Sequence, residues 1–546
     1  MNQNAFKLPS VMSKDFSRAP SIDISRSQID RSCGYKSAFD AGYLIPFFWD
    51  EVLPGDTFNV RATILARLAT PIYPIMDNLY LDTHWFFCPS RLLWSPTSVS
   101  SGSWQRFCGE QVDPDSSIDF TMPVQTIPVG GYPLGSLGDY FGIPTLIAGM
   151  ENPRADPFRM YNRTWNEWFR DENLQDSVVQ DYDDGPDDAS DYVLLKRNKR
   201  HDYFTSCLPW PQKGDDVILP LSGTAPVLGI GKQNQLFPTS NQTVYESDGT
   251  SSVYQYADYT GNGSGHATWI QGTAATGAYP NIRADLTNAT GATINELIES
   301  FAVQDLLVRD ARGGTRYTEI LQGHFGVTSP DSRLQRVEFL GSDSQPLGFY
   351  TVPNTSDTAT RKQGALAAYS QGIINSDGFV KSFTEHGLIM GLVSLRADLT
   401  YSQGLLRKWS RSTRYDFYWP SLANLGEQAV LNKEIFLQGT AGGAADNNVF
   451  GYQERWAEYR YNASLLTGLM RPDAVGTLAA WHVSQDFSAL PVLTTGGAST
   501  FIQEDPAIDR AIAVPTEPHI IFDSYIKVIT ARPMPLYSVP SLSNRF

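Results

Sequence analysis

The stretch Phe58-Asn-Val-Arg-Ala-Thr-Ile64 decides how the rest of the chain is read. Phe58, Val60, Ala62 and Ile64 are apolar, and Asn59, Arg61 and Thr63 between them are polar. Side chains leave a strand alternately to its two faces, so a period of two describes a strand with one face in a core and one in water. Outward from it, the whole segment from Phe39 to Trp94 has β character. Thr70-Pro-Ile-Tyr-Pro74 interrupts it, because proline cannot donate to a ladder. A second run, Leu79 to Phe87, follows and stops at Cys88-Pro89. The two runs are expected to be antiparallel strands joined by the proline-rich bend. Far downstream, His386 to Thr400 and Ile520 to Thr530 are further strand-like apolar runs, the second closed by Arg532-Pro-Met-Pro535. Strands toward both ends, with helices and long connections between, predict a mainly β sandwich with expanded connections.

Two helices announce themselves. Asp156-Pro157 sets an N-cap before a first-turn proline, with helical spacing on to Phe169. Thr293-Ile-Asn-Glu296 is a capping box, after which Ile294, Leu297, Ile298 and Phe301 share one helix face. That helix should end before Gly313-Gly314. Residues 1–40 carry Lys7, Lys14, Arg18, Arg26 and Arg31 without helical periodicity, and are expected to form an N-terminal arm. Between about 221 and 292 Gly, Ser, Thr, Asn and Ala dominate and large aliphatic residues are sparse, which predicts an insertion of surface loops and short hairpins.

Only 18% of residues are charged, against roughly 25% in an average globular protein; Gly, Pro, Tyr and Phe take their place, which favours strands and turns. The net charge of −16 disfavours non-specific nucleic-acid binding over the whole surface, so any such contact needs a local basic patch. Cys33, Cys88, Cys108 and Cys207 form no C-x-x-C pair and are expected to be reduced, mostly buried thiols. Residues 1–21 lack the apolar core of a signal peptide, and no run approaches a membrane span, so folding in a cytoplasm without membrane insertion is expected.

Catalytic patterns are missing: there is no H-E-x-x-H, no G-x-x-x-x-G-K-[ST] and no G-x-S-x-G, and no two of the seven histidines lie three or four residues apart. No enzyme and no cofactor is expected. The run from Asp181 to Asp191 reads as a solvated acidic loop. Two basic clusters stand out. Lys196, Arg197, Lys199 and Arg200 crowd four cations into five residues; Arg407, Lys408, Arg411 and Arg414 interleave with Trp409 and Tyr415. Cations bind phosphates and aromatic faces stack bases, which makes Lys196, Arg197, Lys199, Arg200, Arg407, Lys408, Trp409, Arg411 and Arg414 candidates for single-stranded DNA contact; salt bridging to acidic partners is the competing use. In the insertion, Tyr245, Tyr254, Tyr256, Tyr259 and Trp269 offer amphipathic rings for contact with a host surface.

Several blocks are familiar together. Ala38-Phe-Asp-Ala-Gly-Tyr-Leu-Ile-Pro46 with Asp50-Glu-Val-Leu-Pro-Gly-Asp-Thr-Phe58, Trp165-Asn-Glu-Trp-Phe-Arg170, Leu208-Pro-Trp-Pro-Gln-Lys213, Arg309-Asp-Ala-Arg-Gly-Gly-Thr-Arg-Tyr-Thr-Glu319 and Gly451-Tyr-Gln-Glu-Arg-Trp-Ala-Glu-Tyr-Arg460 resemble major capsid proteins of microviruses, gokushovirus branch. The blocks span nearly the whole chain in the family's order, except for about 221–292. The resemblance implies an eight-stranded jelly-roll β-sandwich with long loop and helix insertions. Beyond the arm read above at 1–40, it implies one jelly-roll domain at 41–546 and a surface protrusion at 221–292 within it. It also implies self-assembly into a T=1 icosahedral shell around circular single-stranded DNA, in the cytoplasm of a bacterial host. The implied partners are an internal scaffolding protein, a pilot protein and a small basic DNA-binding protein; the exposed insertion adds the expectation of a receptor on the bacterial surface. The rival reading is a carbohydrate-binding or glycoside-cleaving β protein, favoured by the 12 Trp, 26 Tyr and acidic balance but usually accompanied by an export signal.

Overall fold

The computed structural model describes residues 25–98, 101–111, 120–218, 293–359, 362–493 and 501–537, with the backbone of four short strands between 219 and 292. The chain divides into two compact units, residues 1–211 with 313–546, and residues 212–312. In chain order the strands are β1 (Ser27–Asp30), β2 (Cys33–Phe39), β3 (Ile45–Val52), β4 (Thr57–Leu68) and β5 (Leu79–Pro89). In the second unit come β6 (Val227–Leu228), β7 (Gln242–Tyr245), β8 (Ser251–Tyr254) and β9 (Arg283–Ala284). The first unit resumes with β10 (Glu338–Pro346), β11 (Gly348–Pro353), β12 (Leu366–Ser382), β13 (Gly387–Ala397), β14 (Glu427–Leu431), β15 (Val449–Glu454) and β16 (Ile520–Arg532).

Two antiparallel sheets carry the first unit. The larger runs β1-β16-β4-β12-β11, with β2 continuing β1 along β16; the smaller runs β10-β5-β13-β3. β4 behaves as its alternation requires: Phe58, Val60, Ala62, Ile64, Ala66 and Leu68 are buried while Asn59, Arg61, Thr63 and Arg67 face solvent. Its buried side meets Trp85 and Phe87 of β5, Ile389 and Val393 of β13, and Phe522, Ile526 and Val528 of β16 in one core. Phe47 packs edge-on against both Trp85 (5.1 Å) and Phe522 (5.9 Å), tying the sheets together. Burying each such ring contributes about 1.5–3 kcal/mol.

All eleven residues of β13 are buried. Ile389 and Val393 face the inter-sheet core; Leu388, Met390 and Leu392 face a second core formed with Phe158, Met160, Tyr161 and Trp165. The helix Asp156–Thr164 and the π turn that continues it to Phe169 therefore roof the smaller sheet. This explains why β13 is a continuous apolar run and not an alternating one. Gly391 is required here: a Cβ would sit 2.8 Å from the Trp85 ring.

Several expectations need correction. β4 and β5 are not partners; the proline-rich bend carries the chain from one sheet to the other, and β4 pairs with β12 and β16. Prolines that block a ladder do not specify which way the chain leaves it. Residues 27–30 and 33–39 of the expected arm are strands bonded to β16, which confines any arm to the residues ahead of β1. Residues 1–24 lie outside the described residues. Cys88 and Cys207 are buried, but Cys33 and Cys108 are exposed. The acidic run is not wholly solvated: Asp187 is buried and chelated by the Arg159 guanidinium at 2.5 and 2.7 Å. The capping box holds, with the Glu296 carboxylate accepting from Thr293 N and Thr293 Oγ accepting from Glu296 N; the helix is Ile294–Gly313.

Candidate nucleic-acid interface

The two basic clusters occupy different environments. Lys196 to Lys199 run along the inside of the first unit, bridged to Tyr43 at one end and to Gln503 through Asn198. Lys196 Nζ reaches Asp505 at 2.9 Å and lies over the Tyr43 ring. Arg197 donates to Asp82 (2.6 Å) and to Ser394 Oγ (2.9 Å). Lys199 is 4% exposed; its ammonium donates to Gln485 Oε1 and the Phe501 carbonyl and stacks on the Phe501 ring. Burial pulls its pKa down, partly opposed by Glu504, Asp202 and Asp505. Arg197 and Lys199 are thus committed inside the fold, and a phosphate cannot reach them. Arg200 is exposed, with no ion pair among the described residues.

The second cluster sits on the surface. Two single 3-10 turns, Arg407–Trp409 and Arg414–Asp416, shape it. Asp416 accepts from the backbone N–H groups of Thr413 (2.7 Å) and Ser412 (3.0 Å), and these bonds hold its carboxyl down at about 2, so the loop is pinned by a permanent anion. Arg407 is turned inward, donating to the Ala429 carbonyl (2.7 Å) and to buried Glu434 (3.3 Å), whose pKa burial raises. Arg411 pairs with Glu458 (3.2 Å) and lies 4.3 Å over the Tyr459 ring. Lys408 and Arg414 remain exposed, Arg414 lying over Tyr415 and Trp419.

Around these cations the rings face outward. Trp409 is 73% and Tyr415 64% exposed, and Phe417, Tyr418, Trp419 and Tyr459 are about half exposed. Tyr418 packs on Trp456 and Tyr459, and Trp456 is itself buried, which anchors that side of the platform in the fold. Five of these rings, all but Trp409, had no place among the sequence candidates. Aromatic density directly after the basic stretch, Tyr415 to Trp419, was the available signal. Tyr245 ends β7 and Tyr254 ends β8; the two strands form a ladder in which Tyr245 pairs with Ser251 and Tyr254 with Gln242. Tyr256, Tyr259 and Trp269 lie outside the described residues. Among the described residues, no cluster of three His, Cys, Asp or Glu could hold a metal ion, and no helix is long and apolar enough to cross a membrane.

Comparison with known proteins gives concordant matches. Residues 17–542 match the family model described as capsid protein (F protein). The chain is 43% identical to capsid protein VP1 of Bdellovibrio phage phiMH2K, over 97% of this chain and 98% of that protein. It is 42% identical to capsid protein VP1 of Chlamydia phage 1, over 98% and 99%, and 37% identical to capsid protein VP1 of Spiroplasma virus 4, over 97% of each.

Proposed function

The chain belongs to the capsid protein (F protein) family, a structural and not a catalytic class, and on that premise we propose that it builds a T=1 icosahedral shell around a circular single-stranded DNA genome. The observation that carries the reading is the match along almost the full chain. The sheet orders support a jelly roll. Taking β2, β3, β4, β5, β10, β12, β13 and β16 as its eight strands, the sheets run first-eighth-third-sixth and second-seventh-fourth-fifth. Only the step from fourth to fifth stays within one sheet, as two nested Greek keys require. The excursions then fall at residues 90–337 and 398–519, between fourth and fifth and between seventh and eighth strands.

The partners in this reading are further copies of the chain, an internal scaffolding protein, a pilot protein, a small basic DNA-binding protein and a bacterial receptor engaged by residues 221–292. Purified particles test it. The expected result is uniform icosahedral shells holding nuclease-protected single-stranded DNA that adsorb to the host. Isolated monomers with affinity for sugars would sink it in favour of the carbohydrate-binding alternative.

DNA contact is assigned to the exposed groups alone: Arg200, Lys408, Trp409 and Arg414, with Tyr415 and Trp419 as added stacking faces. Binding of an oligothymidylate by the Lys408→Ala, Arg414→Ala double variant should weaken. Its salt slope should fall by about 0.7 for each phosphate no longer neutralised. Trp409→Ala should lose about 1–3 kcal/mol if one base stacks there. An unchanged affinity and an unchanged slope in all these variants would remove the platform from nucleic-acid binding.

A further inference from the structure

We propose that β11 pairs antiparallel with β11 of a second copy of this chain across a two-fold axis, so that the larger sheet continues from one subunit into the next. The inference rests on the shell reading and names one of its contacts. Among the described residues β11 ends the larger sheet and is bonded to β12 alone. Along its far side every second N–H and C=O faces outward, with no strand partner among the described residues.

The ladder registers show how far this edge stands out. β12 pairs with β4 through residues 372–382, and among the described residues its first part, 366–371, pairs only with β11. Gly348–Pro353 and residues 366–371 therefore form a two-stranded ribbon beyond the main sheet. Such a ribbon is marginal in water without further packing. One face is anchored, since Ala368 and Ser370 are buried and Phe349 packs on the main core. On the other, Tyr350, Val352 and Tyr369 are each about half exposed, with Tyr350 and Tyr369 stacked at 5.1 Å.

Charge identifies the occupant. Exposed edges are normally guarded by charged side chains that repel a foreign strand. The other edge strands of the two sheets all carry charge: Asp30 in β1, Lys36 in β2, Asp50 and Glu51 in β3, Glu338 and Asp343 in β10. β11 reads Gly-Phe-Tyr-Thr-Val-Pro and its ribbon partner Leu-Ala-Ala-Tyr-Ser-Gln, with no charge in either. Across a two-fold axis each residue meets its own kind, so a charge near the axis would face a like charge. A neutral edge is what self-pairing needs. A nucleic acid would require cations, and the ribbon strands have none.

Cysteine cross-linking in assembled particles tests the pairing. Single variants Tyr350→Cys, Thr351→Cys and Val352→Cys would be made in a Cys33→Ser, Cys108→Ser background. Opposed residues in an antiparallel pair lie about 4.5–5.5 Å apart, within disulfide reach. Mild oxidation should give covalent dimers of the chain in at least one variant, in particles and not in free subunits. Intact particles without dimers at all three positions, or cross-links to a different protein, would overturn the proposal. Thr351→Lys sets two ammonium groups against each other, and should lower particle yield roughly tenfold while leaving the melting of the free chain unchanged. Wild-type yield from that variant would also overturn it. Particles of the unaltered chain serve as reference, so a failure of the shell reading appears there and not in the variants.

Discussion

Replacing Asp82 by alanine is expected to lower the unfolding free energy of the free chain by about 3–5 kcal/mol. Asp82 is 5% exposed, and its Oδ2 accepts from Arg197 (2.6 Å) and from Arg396 Nε (2.8 Å). Arg396 is itself 2% exposed. Burial raises the Asp82 pKa, but Arg197, Ser344 and Arg396 outweigh it and hold the carboxyl below its usual value. Removing the anion leaves Arg197 without its carboxylate partner and Arg396 with only the longer contact to Asp398 at 3.7 Å, both in a low dielectric, which costs more than the pair gains. Asp82→Asn should cost nearly as much, because the charge and not the shape is lost. Joint replacement of Asp82 and Arg396 by Leu and Met should recover part of the loss. Urea denaturation measures all three, and a loss below about 1 kcal/mol for Asp82→Ala would mean that water solvates the arginines.

Mild acid is expected to destabilise the fold through His84, further along the same strand. Its pKa is pushed down to about 4, chiefly by burial and further by Arg197, with Asp82 opposing. The ring packs between Phe86 and Phe169. An unfolded histidine titrates near 6.5, so between that pH and about 4 the unfolded chain holds a proton that the folded chain refuses. Stability therefore falls as pH falls through this window, by about 3 kcal/mol in full. His84→Leu should flatten that part of the profile. Denaturation midpoints at pH 7 and pH 4.5 for both chains decide the matter: equal acid losses would show that His84 is not responsible.

Local periodicity made individual strands legible, and pairing was not legible with it. The alternation in β4 and the apolar runs of β13 and β16 each announce a strand, because side-chain direction is a property of neighbouring residues. The partner of β4 is set by residues three hundred or more positions away, as in Ile374 beside Ile64 or Ser524 beside Ile64. The π turn and helix that roof β13 were visible as a helix, but their burial of a sheet face was not. Cation clusters show the same limit. Lys196 to Arg200 looks like free charge because the anions that consume it, Asp82 and Asp505, lie far off in sequence. Arg407 and Arg411 lose their charge to Glu434 and Glu458. The exposed remainder, Lys408, Trp409 and Arg414, was among the candidates, but only the fold separates it from the rest.

The placement of β16 has a consequence for synthesis. It lies between β2 and β4, with Ile520 opposite Phe39 on one side and Leu68 on the other. During translation β2 and β4 leave the ribosome early and wait, with a gap between them, until residues 520–532 have followed. A prematurely released polypeptide lacks the strand that fills that gap, and its Phe58, Val60 and Ile64 have no cover from Phe522, Ile526 and Val528. Such a fragment presents an open sheet to chaperones and proteases before it can present a finished face to its fellows. The topology thus makes closure of the larger sheet conditional on synthesis through residue 532, however early its first strands are made.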